Sequence, residues 1–199
     1  MKLIGYGEDA LTLWGLTHRL QDIIKPFADN TLLNSCTVFF RPSFGRHGGP
    51  NSPEFGEFDF ILITDQAVYL GESKWHRSSE DIVNGKLHLR PEQLERHEIM
   101  EWYISEWLEE DFKDWKDFFI KKGGKISKGN LMKPLPPPGS LLSENLSKLL
   151  GEIKVNLKAD LCESTMCSYT FIVVRRCRNY PKNPTVTSQL LIWTIQLSE

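Results

Sequence analysis

The stretch Gly-Glu-Phe-Asp-Phe-Ile-Leu-Ile-Thr-Asp-Gln-Ala-Val-Tyr-Leu-Gly-Glu-Ser-Lys-Trp, residues 56–75, decides how this chain folds. Two apolar runs flank a polar break, Thr-Asp-Gln, which is the pattern of two β-strands joined by a turn. When the strands pair around that break, Thr64 faces Ala67 and Asp59 faces Glu72, whichever short loop closes the turn. The stretch therefore predicts an antiparallel hairpin with one register.

The predicted hairpin carries its charges at the end far from the turn. Opposed residues have Cβ atoms ~4.5–5.5 Å apart and side chains alternate between the two faces, so four charged residues are predicted to share one face: Glu57, Asp59, Glu72 and Lys74. The alternative is a solvated hairpin end at which Glu57 and Lys74 form only a cross-strand ion pair.

Asp59 and Glu72 form a candidate metal site. Facing carboxylates repel each other unless one is protonated or a cation lies between them. Carboxylate oxygens on rigid strands suit Mg²⁺, which keeps several waters and often binds phosphate as well. Lys74, beside such a site, would orient or deprotonate an attacking water, or offset charge on a phosphate.

The spacing of Asp59 from Glu72-Ser73-Lys74 resembles the Asp…(Asp/Glu)-x-Lys signature of the PD-(D/E)xK nuclease superfamily. In that superfamily the Asp begins the second strand of the sheet and the Glu-x-Lys ends the third. Phe58 stands here where many members have proline. The resemblance implies a restriction-endonuclease-like α/β fold and Mg²⁺-dependent hydrolysis of DNA phosphodiester bonds, with Mn²⁺ able to substitute.

The resemblance also implies roles for individual residues. It makes Asp59 and Glu72 metal ligands, with the Ser73 carbonyl oxygen as a further ligand, and it makes Lys74 the residue that positions or activates water. Glu8 joins the catalytic set, because Glu-Asp-Ala-Leu-Thr resembles the superfamily's Glu-x-x-Leu-Thr. Helical periodicity favours Asp9 instead, and the helix dipole alone also favours acids in a first turn.

Gln93 completes the implied catalytic set. Gln93-Leu-Glu-Arg-His97 resembles the Gln-x-x-x-Tyr of the RecB-like branch, with histidine in place of tyrosine. The alternative is that both side chains lie on a packing face and bond to backbone groups.

The spacing of apolar residues and the positions of helix-starting and helix-ending residues predict the other elements. The order is helix, three strands, helix, helical insertion, strand and strand, which is a mixed sheet flanked by helices in an α/β layer fold with an α-β-β-β-α-β core. We expect one domain over residues 1–199, with an insertion around 109–157. The predicted helices cover 7–24, 91–108, 101–119 and 140–157, of which 101–119 is one helix or two with a core-facing aromatic stripe. The predicted strands besides the hairpin cover 35–41, which should pair with it, 168–175, which should be internal to the sheet, and 187–197. The predicted loops cover 42–53, 78–90 and 121–139.

Composition limits the partners and the compartment. The net charge of −2 over 199 residues excludes a generic polyanion binder, so a nucleic-acid surface must be local. Candidates for phosphate contact are Arg41, Arg46 and His47 and the lysines of 121–139, against the alternative of solvated loops. No apolar run approaches a membrane span and no signal peptide is evident, so no membrane partner is expected. The four cysteines form no Cys-x-x-Cys pair, which predicts free thiols and a cytoplasmic protein.

The sequence leaves several functional alternatives open. The chief rival to the nuclease is a nuclease-like fold without activity that serves as a binding or regulatory module. DNA is the expected substrate, but RNA stays open, as do a role in defence or in repair and a homodimeric state.

Overall fold

The computed structural model describes residues 7–46, 48–73, 82–83, 86–87, 90–129, 131–157, 170–176 and 190–191. His47, Lys74, Cys162, Cys167 and Cys177 lie outside these residues. The helices are α1 (Gly7–His18), α2 (Leu20–Ile24), α3 (Pro91–Glu109), α4 (Trp115–Lys121) and α5 (Leu141–Asn156), with short 3₁₀ helices at Lys25–Phe27 and Leu33–Ser35. The strands are β1 (Thr37–Phe40), β2 (Ser43–Phe44), β3 (Gly56–Glu57), β4 (Phe60–Ile63), β5 (Val68–Ser73), β6 (Ile82–Val83), β7 (Lys86–Leu87), β8 (Lys125–Lys128), β9 (Leu131–Pro134), β10 (Thr170–Arg176) and β11 (Leu190–Leu191).

The chain divides into two compact units. The first consists of Met1–Arg41, Phe58–His88 and Asp160–Glu199, and the second of Pro42–Glu57 and Leu89–Ala159. In the part of the chain that the structure describes, no helix has both the length and the apolar character that crossing a membrane requires.

A five-stranded mixed sheet forms the first unit. Its strand order is β1-β4-β5-β10-β11. Neighbours are antiparallel except for β5 and β10, which are parallel. The molecule is therefore mixed α/β, as predicted. Two further predictions are confirmed: β1 pairs with the hairpin as its third strand, and β10 lies inside the sheet.

The hairpin of β4 and β5 has the predicted register. Phe60 pairs with Gly71 and Ile63 with Val68, and the Thr64 N–H donates to the Ala67 carbonyl at 3.0 Å. The Thr64 hydroxyl oxygen also accepts the Ala67 N–H at 2.9 Å, which closes the turn by a side-chain hydrogen bond although it contains no glycine.

The predicted hairpin is too long at its open end. Glu57 does not continue β4; it lies in the separate strand β3 and pairs with Ser43 of β2. Gly56 has a φ of 112°, a conformation that glycine adopts readily, and this redirects the chain before Asp59. The prediction that Glu57 shares the strand of Asp59 is therefore wrong.

One face of the sheet packs against the first two helices. Buried apolar side chains of helix and sheet form a single cluster there: Leu16, Leu20, Ile23, Ile24, Phe60, Leu62 and Tyr69. Gly71 makes room in it, because a Cβ at that position would lie 2.1 Å from the Phe60 ring. The single helix predicted over 7–24 is broken at Arg19, which has a non-helical φ of −132° and starts α2 instead.

The second unit is helical with two small hairpins. α3 packs against α5 and β8, and α5 also packs against α4 and β2. The predicted aromatic stripe does face the core: its buried members are Trp102, Trp107, Trp115 and Phe118. Helices α3 and α5 confirm the predicted ones closely. Ser140 caps the start of α5, because its hydroxyl accepts the Ser143 N–H at 3.2 Å.

Residues 121–139 contradict the predicted loop. They contain the β8–β9 hairpin, in which Ile126 pairs with Lys133 and both side chains are buried. The prolines fall at the last residue of β9 and beyond it, where no ladder N–H is needed. The prediction of a loop over 121–139 is therefore wrong, because it was based on glycine and lysine content. The short β6–β7 pair likewise lies in the stretch 78–90 that was predicted to be irregular.

Candidate functional site

The open end of the β4–β5 hairpin carries Asp59 and Glu72. The observed register ends at the pair Phe60 and Gly71, and Asp59 directly precedes β4. Continued by one pair, the register would set Asp59 opposite Glu72, as predicted. The observed link between the two segments is a hydrogen bond from the Ser73 N–H, next to Glu72, to the Asp59 carboxylate.

Asp59 is held from both sides. Its carbonyl accepts the Arg41 N–H at 3.0 Å, and its Oδ2 accepts the Ser73 N–H at 2.5 Å. In a continued ladder the Ser73 N–H would bond to the Phe58 carbonyl. The carboxylate replaces that carbonyl where the chain leaves the sheet, which fixes the acid beside the end of β5.

Glu72 is a carboxylate inside the sheet. It is 3% exposed, and its strand lies between β4 and β10, with Val173 as its register partner on the parallel side. Glutamate is almost never this buried unless something compensates its charge. Glu72, next to the Ser73 N–H that binds Asp59, is therefore the second carboxylate of the candidate site.

Ser73 connects the site to α1. Its fully buried hydroxyl oxygen accepts a hydrogen bond from the Thr12 hydroxyl at 2.5 Å. By alternation Ser73 points to the face of Gly71 and Tyr69, which α1 and α2 cover, and Glu72 points to the other face. Helix α1 therefore contacts β5 on the face of the sheet opposite to the Glu72 side chain.

The structure describes the side chain of only one of the two acidic residues at the start of the first helix. Glu8 lies one helical turn before Thr12, but its side chain is outside what the structure describes, so its catalytic role stays a prediction. Asp9, the alternative, forms an ion pair with Arg41, with 2.6 Å between Oδ2 and Nη1.

Gln93 lies in the second unit, at the start of α3. Its Oε1 accepts the Arg90 N–H at 3.0 Å, which satisfies a backbone donor before the helix. This is the backbone contact considered as the alternative for Gln93, and its catalytic role stays a prediction. His97 is buried, with 2% exposure.

The described donors were compared with the needs of a metal ion. Within the described ranges, no three His, Cys, Asp or Glu side chains come together as a metal-binding group. Mg²⁺ commonly takes only one or two carboxylates and completes its shell with waters and substrate oxygens. Asp59 and Glu72, with the nearby Ser73 backbone, therefore fit Mg²⁺ or Mn²⁺ as an all-oxygen set.

A second buried acid, Asp29, lies at the turn end of the same hairpin and has no counterpart in the sequence predictions. It accepts hydrogen bonds from the Thr64 hydroxyl at 2.7 Å, the Tyr69 hydroxyl at 2.8 Å and the Thr31 N–H at 2.9 Å. Burial raises the pKa of Asp29, but these hydrogen bonds outweigh it and hold the pKa below its usual value. The only local signal is Asp29-Asn-Thr31, a sequence typical of an Asx turn.

No protein-family model matches this chain, and neither a curated protein nor a solved structure shows significant similarity to it. Its function is therefore inferred from the hairpin end itself.

Proposed function

We propose that this chain is a metal-dependent nuclease that hydrolyses phosphodiester bonds of DNA. The observation that carries the proposal is the buried Glu72 next to Ser73, whose N–H binds the Asp59 carboxylate. The strand order supports it, because Asp59 immediately precedes the second strand of the five-stranded sheet and Glu72 and Ser73 end the third. That is the placement implied by the resemblance to the PD-(D/E)xK superfamily, so we also propose a restriction-endonuclease-like fold for the first unit.

In this proposal Asp59 and Glu72 hold Mg²⁺, which Mn²⁺ can replace, together with the Ser73 carbonyl oxygen. When bound there, the ion polarises a phosphate and lowers the pKa of water. The Ser73 N–H and the Arg41 N–H keep Asp59 in place, so little reorganisation is needed when a substrate arrives.

Lys74 is proposed to position or activate the attacking water. Continued alternation along β5 would place it on the face of Glu72, beside the two acids. There an amine can orient or deprotonate the attacking water, or offset the charge that develops on the phosphate.

Cleavage assays test the proposal. Wild type and the variants D59N, E72Q and K74A are incubated with linear, circular and branched DNA and with RNA, in Mg²⁺ or Mn²⁺. We expect wild type to cut DNA and each variant to lose at least about a hundredfold in rate. The matched control is D65N, which removes an acid from the same hairpin about 20 Å from Asp59 and should keep full activity.

Three outcomes decide between the alternatives. Cleavage that survives K74A contradicts the assigned role of Lys74, and cleavage that survives D59N contradicts the whole site. A wild-type protein that binds nucleic acid but cuts none of the substrates identifies the inactive binding module. In the same assay E8Q reports whether Glu8 contributes, because a helix acid outside the site leaves the rate unchanged.

A further inference from the structure

Arg41 lies next to Asp59 in the sheet. It directly follows β1, and the register of Phe40 with Phe60 makes it the next partner of Asp59. The Arg41 N–H donates to the Asp59 carbonyl at 3.0 Å, so its backbone is one strand spacing, about 4.8 Å, from that of Asp59. Arg41 is therefore the sheet neighbour of Asp59 at the open end of the hairpin.

The backbone of Arg41 is unusual. Its φ is 49°, in the left-handed region that residues other than glycine, asparagine and aspartate rarely adopt. Such outliers persist only where surrounding structure imposes them, and they are concentrated at functional sites. Arg41 has this conformation at the point where its N–H binds the Asp59 carbonyl and its side chain pairs with Asp9.

That ion pair presents the guanidinium to solvent. Nη1 of Arg41 is 2.6 Å from Oδ2 of Asp9, and the two side chains are 48% and 54% exposed. A pair this exposed contributes little to stability, because water solvates both charges and salt screens them. The pair holds the exposed guanidinium at Asp9, and a guanidinium fork matches phosphate oxygens bidentately.

We propose that Arg41 binds a backbone phosphate of the nucleic acid at the Asp59–Glu72 site, and that this phosphate replaces Asp9 as the partner of the guanidinium. The inference rests on the proposed function for the identity of the ligand. It makes Asp9 a competitor for the cation rather than a metal ligand, which explains why Asp9 faces Arg41. Arg41 and Asp9 therefore act on binding with opposite signs.

Equilibrium binding without metal tests this inference. A labelled random-sequence duplex is titrated with R41Q, R41K, D9N and wild type in EDTA, from about 50 to 200 mM salt. The matched control is R19Q, because Arg19 also forms an ion pair, with Asp22, and lies about 15 Å from Asp9 along the first helix. Thermal melting of each variant confirms that it is folded.

We expect R41Q to lower the slope of log K against log salt by about 0.9 and to weaken binding about eightfold at 0.1 M salt, as the loss of one phosphate contact predicts. R41K should keep most of the slope, D9N should bind more tightly than wild type, and R19Q should equal wild type. The inference is overturned if R41Q and D9N shift the affinity in the same direction, if neither shifts it, or if wild type does not bind.

Failure of this inference is distinguishable from failure of the nuclease proposal. Opposite effects of R41Q and D9N on binding, in a protein that cuts nothing with Mn²⁺, reject the nuclease alone. Metal-dependent cleavage by a wild type whose DNA affinity is unchanged in R41Q rejects the role of Arg41 alone.

Discussion

At the scale of single residues, Asp29 shows how a buried charge is kept in a small sheet. Its carboxylate, 2% exposed, receives one backbone and two hydroxyl hydrogen bonds. Those bonds join the segment before β1 to the turn end of the hairpin, since Thr64 and Tyr69 belong to the hairpin and Thr31 does not. Because hydrogen bonds to a charged group are worth more than neutral ones, this cluster stabilises the hairpin register.

Replacing Asp29 should lower stability in a pH-dependent way. The folded-state pKa of Asp29 lies below its ordinary value of 3.8, so its ionised form stabilises the fold. That contribution is fully present above the unfolded pKa and is lost as the pH falls through the lowered folded pKa. We expect D29N to lower the free energy of unfolding by about 2 kcal/mol at neutral pH, and by less below about pH 4, in urea titrations.

The control for Asp29 is D22N. Asp22 is an exposed partner of Arg19, with 46% side-chain exposure, and its loss should change stability by less than about 1 kcal/mol. A D29N effect that is equally small, or one that is unchanged at acid pH, would contradict the role given to the Asp29 charge.

At the scale of elements, the two larger hairpins are held in different ways. The β4–β5 hairpin is almost wholly apolar and buried, and a threonine closes its turn. The β8–β9 hairpin buries Lys133, whose Nζ donates to the Gly49 carbonyl at 2.6 Å and lies 3.5 Å from Glu95 Oε1. Lys133 thus ties the loop between β2 and β3 to the hairpin and to α3, all within the second unit.

Removing the Lys133 ammonium should loosen that loop. K133M keeps much of the side-chain volume but removes the ammonium that binds the Gly49 carbonyl, so we expect a loss of about 1–3 kcal/mol. Hydrogen exchange should rise most around Gly48 and Gly49. The control K128M removes an exposed lysine that pairs with Glu101 at 2.7 Å, and should cost at most about 1 kcal/mol. Equal exchange in both variants would show that Lys133 does not hold the loop.

At the scale of the whole molecule, the proposed metal gives a measurable change in stability. A ligand that binds only the folded state stabilises it by about 2.7 kcal/mol when present at about a hundred times its Kd. We expect Mg²⁺ or Mn²⁺ to raise the melting temperature of wild type, EDTA to reverse the shift, and both D59N and E72Q to abolish it. A shift that persists in D59N would place the metal elsewhere in the chain.

The net charge of −2 is a property of the whole molecule. The proposed nucleic-acid binding would therefore come from a few local cations, and the described candidate is Arg41, whose N–H binds the Asp59 carbonyl. The expected salt dependence is correspondingly modest, since each neutralised phosphate adds about 0.9 to the slope.

The sequence by itself determined the elements whose signal is local. Side-chain alternation around a polar break predicted the β4–β5 register. An apolar stripe predicted both α3 and α5, and Pro91 marked the start of α3. These patterns are readable because burial on one face imposes a short period on consecutive residues. The prediction that Asp59 faces Glu72 extends that register by one pair.

Only the tertiary structure decided the contacts between distant segments. Asp29 meets Thr64 and Tyr69 across 35 and 40 residues, Arg41 meets Asp9 across 32, and Thr12 meets Ser73 across 61. None of these has a local period, because each depends on how separate elements are packed. For the same reason the sequence did not predict the burial of Lys133 or the β8–β9 hairpin. Both lie in a stretch whose composition is that of a loop.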